Sequence, residues 1–573
     1  MKFLRFVTLL CLLVLTTGAP FQAQASDVVM QAMNDELTRS MDSLRMENMP
    51  PPYNLTYWVR DQADWVAEAR YGALTTSSHS RGRYLSIELR VGSPALDNCN
   101  FADSWNDIYR SRRSLVDEDN YATLRHQIWL QTDDAYKSAL DLLSKKSAYL
   151  QTHPTNDTIP DFTAGDKVEY SDKIEPIEVD LRSIETEITA ASLALNDFEQ
   201  LQDWKIRFSG GNTVTRYCNS QGSRTTKQNV TLWIEVSATI LANDGERITG
   251  FLNYLVKSTK ELPSSEKLTA DVRDFATKLV ASAGAVALKD YTGPVLFTDI
   301  ASAQLVADLF AAQVIPARPP LCSEAYMSDY FKGGKLVGRL NQRVFPEFIN
   351  VTDEPLRREL TGTPLLRGQT VDDDGVMSKN ITLVKNGRLV ALPLGSAPIA
   401  KQSGSNGHGR LFPNQMVIPT VTNLFVNSDE TMSDANLLKK LRKLAKDSGL
   451  GYALLITHLS DPNISSNYAW SESSSEKEEL LPVPLQMFKV DVKDGSLTPV
   501  RGLQFSEVTV RNLRDILTTG KKQHPYNLVM NAPIGGYPYP VTIVTPSLLV
   551  EEMEFKAISS HEQLPVTARP TKP

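Results

Sequence analysis

The stretch that most constrains the fold is 362–410, GTPLLRGQTVDDDGVMSKNITLVKNGRLVALPLGSAPIAKQSGSNGHGR. Asn386-Gly387 separates two apolar runs, Ile381-Thr382-Leu383-Val384-Lys385 and Leu389-Val390-Ala391-Leu392. A type I′ turn needs positive φ at both central residues, and Asn-Gly supplies it at low steric cost, so this segment predicts a β-hairpin. A tight acidic turn, Asp372-Asp373-Asp374-Gly375, leads into it. A loop of small residues, Ser403-Gly404-Ser405-Asn406-Gly407-His408-Gly409-Arg410, follows. That loop has little side-chain bulk, many free N–H groups, and one imidazole and one guanidinium at its end. The acidic turn reads as a solvated approach to the hairpin, because the oxygen-ligand spacing of an EF-hand loop is absent.

At 573 residues the chain exceeds one ordinary core and predicts at least two domains. The first 25 residues read as a secretory signal peptide. Lys2 and Arg5 form a positive start, 6–15 is a short apolar run, and Ala23-Gln24-Ala25 is an A-x-A cleavage site. An N-terminal anchor is the competing reading. The expected mature protein is exported, periplasmic or extracellular, and soluble, with no later transmembrane segment. Its formal charge of −7 falls by two, to −9, when Lys2 and Arg5 leave with the leader. No basic run offsets this, so nucleic acid is not an expected partner. Cys99, Cys218 and Cys322 remain, which allows one disulfide or none.

The remaining pattern is α+β in two domains. The N-terminal domain, 26–290, reads as α/β, with a mixed or antiparallel sheet and long helices. The C-terminal domain, 291–573, reads as β-rich, with hairpins and flanking helices. Met30, Met33, Leu37, Met41 and Leu44 make the core stripe of a helix over 27–46. Leu85, Ile87, Leu89 and Val91 alternate with polar residues as a half-buried strand. Long helices are expected over 124–150, 181–201 and 264–283, and Gly293-Pro294-Val295-Leu296-Phe297 opens the second domain as a buried strand before a helix over 299–312.

The segment DDDGVMSKNITLVKNGRLVALPLGSAPIAKQSGSNGHGR resembles the TldD/PmbA proteins, also called the modulator-of-DNA-gyrase family. Pro499-Val500-Arg501-Gly502 with a helix over 508–517, and the closing strand at 543–552, resemble the family in the same order. The resemblance is close over 293–555 and looser before it. It implies metallopeptidase ancestry. In TldD-type members an H-E-x-x-x-H motif on the helix after the 293–297 strand binds zinc, with its glutamate as general base and a later cysteine as third ligand. The stretch taken as its counterpart is Ser323-Glu324-Ala325-Tyr326-Met327-Ser328, which leaves Glu324 as the candidate catalytic residue and serines in both histidine positions. A serine hydroxyl must lose its proton to serve, so it is a poor zinc ligand. The counterpart of the cysteine region, 532–540, has no thiol. No zinc and no other cofactor are therefore expected, although distant histidines could converge. In this respect the chain resembles PmbA (TldE), the zinc-less partner of TldD in a heterodimeric peptidase that digests unfolded peptides.

Three functions follow. The first is a zinc-less subunit that binds or helps process unfolded or extended peptides, with a TldD-type subunit or a second copy of itself as partner. The second is an active exported zinc metallopeptidase with divergent ligands. The third is a non-enzymatic envelope protein on the inherited fold. For the first, Asn406, Gly407, His408, Gly409 and Arg410 are the expected peptide or partner contacts, with Arg410 as a forked donor. Residues 381–384 and 543–544 are the expected strands along which a peptide adds. His408 admits a second role, as a surface histidine that closes a turn. Expressed with its leader, the chain should yield a mature N-terminus at Ser26, read by N-terminal sequencing. Retention of 1–15 would refute export as a soluble protein.

Overall fold

In a computed structural model the chain is described from 27 to 558, apart from 109–111, 156–157, 329–330, 400–401, 403, 414, 462–480 and 533–535. The expected leader and its cleavage site lie outside these residues. The first sheet is built from β1 (Pro52–Arg70), β2 (Ala73–Ser93), β3 (Leu201–Asn219), β4 (Arg224–Leu241) and β5 (Arg247–Val256). They lie in the order β2-β1-β3-β4-β5, every pair antiparallel. Long antiparallel strands of this kind are hairpin products, and each reversal falls at a turn former such as Tyr71-Gly72 or Asn243-Asp244-Gly245.

Helices cover this sheet in pairs. Val29 and Met33 of α1 (Val28–Ser43) pack with Leu124, Ile128 and Tyr136 of α2 (Tyr121–Thr152) over Leu55 and Tyr57. The methionine stripe is thus core. Ile184 and Ile188 of α3 (Leu181–Ala194) and Leu268 and Val272 of α4 (Ser265–Ala283) enclose Trp204 and Phe208. The side chains of Asp27, Asn120, Asp180 and Ser264 accept hydrogen bonds at the four N-termini, so each helix starts where a capping residue precedes the apolar stripe. α3 stops before its expected end at 201, because Asn196-Asp197 turns the chain into β3.

The second unit holds two sheets. One centres on Asp290–Phe297, which pairs parallel with Tyr452–Leu459 and antiparallel with Leu548–Ala557. Side chains alternate across it. Val295 and Phe297 face the large core, whereas Leu296 meets Leu437, Leu441 and Ala445 of Asp434–Asp447. The other sheet runs in the order Arg388–Leu389, Ile381–Lys385, Ile349–Asp353, Asn423–Ser428, Pro538–Thr545, His524–Asn531. Asn386 and Gly387 have φ of 47° and 73°, and Val384 and Lys385 pair with Leu389 and Arg388, which is the expected hairpin. The helix expected over 508–517 is instead a short 3₁₀ turn, Val510–Asp515, followed by the strand Ile516–Gly520. Ile516, Thr518 and Thr519 are β-branched and favour the strand. Among the described residues no helix is long and apolar enough to cross a membrane, and Cys99, Cys218 and Cys322 are all free thiols.

The units meet along two seams. Phe101–Ala102 pairs parallel with Leu321–Cys322 as a two-stranded ribbon. Beneath it Lys146 is almost fully buried, ion-paired with buried Asp161 and donating to the Cys99 carbonyl at 2.6 Å. Lys146→Met should cost about 3 kcal/mol in chemical denaturation, because it leaves the Asp161 charge buried with the Asp97 N–H at 2.9 Å and, as its one ion pair among the described residues, Arg318 at 3.4 Å. A loss below about 0.5 kcal/mol, as for an exposed pair, would refute this.

Candidate functional site in the domain seam

The second seam is the acidic turn, and it is not solvated. Asp372 has no exposed surface. Its Oδ1 accepts from the N–H groups of Asp374 (3.0 Å) and Val376 (2.8 Å), and its Oδ2 from that of Gly409 (2.9 Å). Asp373 is ion-paired with Lys227 of β4 and accepts from the Leu411 N–H at 2.9 Å. Its carbonyl accepts from the Trp58 indole of β1 at 2.6 Å. Gly375, at φ 73°, lies against the Tyr217 ring, where a Cβ would sit 2.4 Å from Cε1. The partners of this turn come from 37 and 38 residues downstream and from the other domain, so the turn's own composition could not reveal its burial.

The loop expected to meet a ligand is what holds this turn in place. The Asn406 amide donates to the Leu392 carbonyl at 2.8 Å and its oxygen accepts from the Leu394 N–H at 2.7 Å. Gly407, at φ 78°, passes so close to Ser378 that a Cβ would lie 2.4 Å from its Cα. Gly409 gives its N–H to Asp372. His408 is fully buried rather than exposed at a loop tip. Its Nδ1 lies 3.1 Å from the Asn406 carbonyl, and its Nε2 lies 3.5 Å from Oδ2 of buried Asp353 with no hydrogen-bond partner in reach. Asp353 is itself committed to the N–H groups of Thr422 (2.9 Å) and Asn423 (3.0 Å). Arg410 sits over the rings of Phe412 and Tyr539, at 5.8 and 5.7 Å, and one of its terminal nitrogens has no partner. Burial and the neighbouring Arg367 push its guanidinium down to about 9. The expectation of an unshielded His408 is therefore corrected: the two glycines bring backbone close around it instead of leaving it open.

The three aspartates differ in charge preference. Burial alone would raise Asp373, but Lys227 and the Leu411 N–H reverse this and hold it at about 2. Burial raises Asp372 well above the carboxylate range, with Asp374 adding to the effect, and burial takes Asp374 to about 6.

Peptide addition along 381–384 and 543–544 also needs correction. Ile543 and Val544 are paired on both sides, with Leu424 and Phe425 on one and Tyr526 and Pro525 on the other. Val384 lies between Val351 and Leu389. Neither stretch offers the continuous free edge that an added strand requires.

Glu324 is exposed, beside a single helical turn, Ala325–Ser328, and the Ser323 hydroxyl donates to Asp103 at 2.8 Å. One turn cannot present two ligands five residues apart on one face. The helix that follows the Asp290–Phe297 strand is α5 (Asp299–Val306), with Thr298 as its N-cap residue. That helix carries no histidine, cysteine or glutamate, and the 323–328 stretch lies beyond it. Asp299 is exposed with φ 50°, and Ala303 is fully buried. His458 lies close enough to Asp299 for the two charges to interact, and burial pushes its imidazole down to about 4. Among the described residues no three His, Cys, Asp or Glu side chains stand together as metal ligands.

A cavity of about 230 Å³ lies beside the ribbon between the units. Phe101, Ala102, Pro320, Phe331, Ile399 and Ile418 give it apolar walls, and Arg90, Asp161 and Arg318 its polar rim. Sequence reasoning missed this cleft, since its walls come from five separate segments with no shared motif.

The molecule is thus a two-domain α+β protein with a cleft between its domains. Residues 292–471 match the family model of the PmbA/TldA metallopeptidase C-terminal domain. A putative modulator of a DNA gyrase from Thermotoga maritima shares the fold at TM-score 0.58 and 14% identity, over 92% of this chain and 99% of that one. TldE from Thermococcus kodakarensis matches at TM-score 0.58 and 14% identity, over 92% and 100%. A putative modulator of DNA gyrase from Bacteroides thetaiotaomicron matches at 0.52 and 12%, over 92% and 99%. No curated protein matches the chain in sequence. Residues 292–471 thus resemble the C-terminal domain of the PmbA/TldA metallopeptidases, and the chain shares the fold of TldE and of the modulator-of-gyrase structures.

Asp374→Asn should change how stability varies with pH. A carboxyl whose folded pKa is raised stabilises the fold while neutral, below the unfolded value of about 3.9, and loses that contribution as pH rises through about 6. The difference in unfolding free energy, variant minus wild type, should therefore rise between pH 4 and 7. A flat difference would refute the assignment. His408→Ala should now cost about 1–3 kcal/mol, read by denaturant titration, because it empties a buried polar site.

Proposed function

We propose that this protein is an exported, zinc-less subunit of the TldE type, which binds extended, unfolded peptides in the cleft between its domains. Its partner would be a TldD-type subunit with an intact zinc motif, or a second copy of itself. The observation that carries the reading is a shared fold and cleft in which, among the described residues, no three His, Cys, Asp or Glu side chains stand together as metal ligands. The apolar walls suit peptide side chains. The short ribbon of Phe101–Ala102 and Leu321–Cys322 pairs only within itself among the described residues, so its outer edges suit backbone hydrogen bonds that do not depend on sequence. The rim is ordered in advance: Arg90 donates to Asp97 at 2.8 Å and to the Asp161 carbonyl at 3.0 Å. Binding there loses little side-chain entropy.

Fluorescence anisotropy with a labelled unfolded peptide tests this. Ile399→Glu and Val417→Glu, both half-buried on the cleft wall, should weaken binding at least about tenfold, since each places a charge against apolar peptide surface, with melting temperature nearly unchanged. Affinity equal to wild type in both variants would overturn the cleft assignment. Metal analysis should give well under one equivalent of zinc, and stoichiometric zinc surviving dialysis would favour the divergent metallopeptidase. Failure to co-purify with a TldD-type protein, together with no peptide binding, would favour a non-enzymatic envelope role.

A further inference from the structure

A second, wholly polar cavity of about 220 Å³ lies on the other side of the acidic turn, between the first sheet and 358–370 of the second domain. Four cations reach it: Lys173, Lys227, Lys257 and Arg358. Two of them are neutralised, Lys173 by Glu175 and Lys227 by Asp373. The one carboxylate in the lining, Asp172, is already occupied. It accepts from the Tyr170 hydroxyl at 2.6 Å and from the Gln228 N–H at 3.0 Å. Lys257 and Arg358 form no ion pair among the described residues. Arg358 donates to the Thr370 hydroxyl at 2.8 Å, and its stem lies on Gly368, where a Cβ would sit 2.6 Å from its Cδ. Behind this wall stands a further cation, buried Arg367, which donates to the Gln369 side chain at 3.1 Å. Burial, Arg367 and Arg358 push the Lys257 ammonium down to about 8, against the weaker pull of Glu261 and Asp172.

Two unpaired cations held together in a recess repel each other, and an anion between them removes that repulsion. We propose that this cavity binds a compact oxyanion of two or more negative charges, held by Lys257 of the first domain and Arg358 of the second. The chemistry is that of a phosphoryl group or of clustered carboxylates. Thr370, Gln228 and Asn229 supply neutral polar groups around it. Because the two cations belong to different domains, the bound anion would also fasten the seam. The proposal does not depend on peptide binding, which uses the other cleft.

Thermal melts and isothermal titration of the full mature chain test it, with inorganic phosphate, citrate, and sodium chloride at matched ionic strength. Phosphate or citrate should raise the melting temperature saturably, and which of the two does so tells phosphoryl from carboxylate chemistry. Affinity should fall about tenfold or more in Lys257→Met and in Arg358→Met, the scale for losing one charge-assisted hydrogen bond, and be largely kept in Lys257→Arg. Without anion, Lys257→Met should melt at or above the wild-type temperature, because it removes an unpaired charge. An equal shift with chloride, or unchanged affinity in the Met variants, means ionic screening only and overturns the proposal. If Lys257→Met does not fold, the isotherms of Arg358→Met and Lys257→Arg decide.

Discussion

The structure depends on one buried turn. Asp372, Asp373 and Asp374 carry three carboxyl groups into the seam between two domains, where an unpaired charge would be expensive. The fold resolves this by giving each a different surrounding. Asp373 faces Lys227 and stays charged. Asp372 is held by three backbone N–H groups and shares its space with Asp374, so burial and mutual repulsion favour the neutral form in that pair. The Trp58 indole and Tyr217 ring then close over the turn from the first domain. Relative domain position is thus written into hydrogen bonds as well as apolar contact.

The glycine-rich loop takes its meaning from that turn. Asn406, Gly407 and Gly409 are small or self-bonding because three chain segments cross within van der Waals distance there, and a Cβ at 407 or 409 would collide with backbone or with Asp374. His408 and Arg410 end up on the inner side, near Asp353, Arg367 and Tyr539. Several polar atoms in that interior lack partners, among them His408 Nε2, the Thr420 hydroxyl and the Tyr539 hydroxyl. Each such atom carries a desolvation cost that the surrounding hydrogen bonds and packing must offset. The open surface for ligands lies elsewhere, in the two cavities on either side of the turn.

What the sequence made legible was local. The Asn386-Gly387 hairpin, the capped helices and the alternating strands each follow from short-range rules, and the family resemblance rested on those same segments. What it concealed was long-range. Nothing between 372 and 375 distinguishes a solvated acidic turn from one whose partners are Gly409, Leu411, Lys227 and Trp58. His408 between two glycines reads as exposed on steric grounds, yet those glycines permit close approach by the neighbouring strands. The Glu324 stretch offers a glutamate but only a single helical turn, whereas the helix directly after the Asp290–Phe297 strand has neither histidine nor glutamate.

That helix belongs to the second domain's core. From Ala301 to Val306 every residue of α5 is buried, so the helix is enclosed on all sides by the second domain's sheets. Five π-helical residues, Ala307–Ala311, continue it into the same core. At the helix start, burial keeps the nearby His458 neutral against the opposing pull of the Asp299 carboxylate. The strand and the helix are held by this packing, and the cavity walls and the backbone edges beside them are what it leaves open.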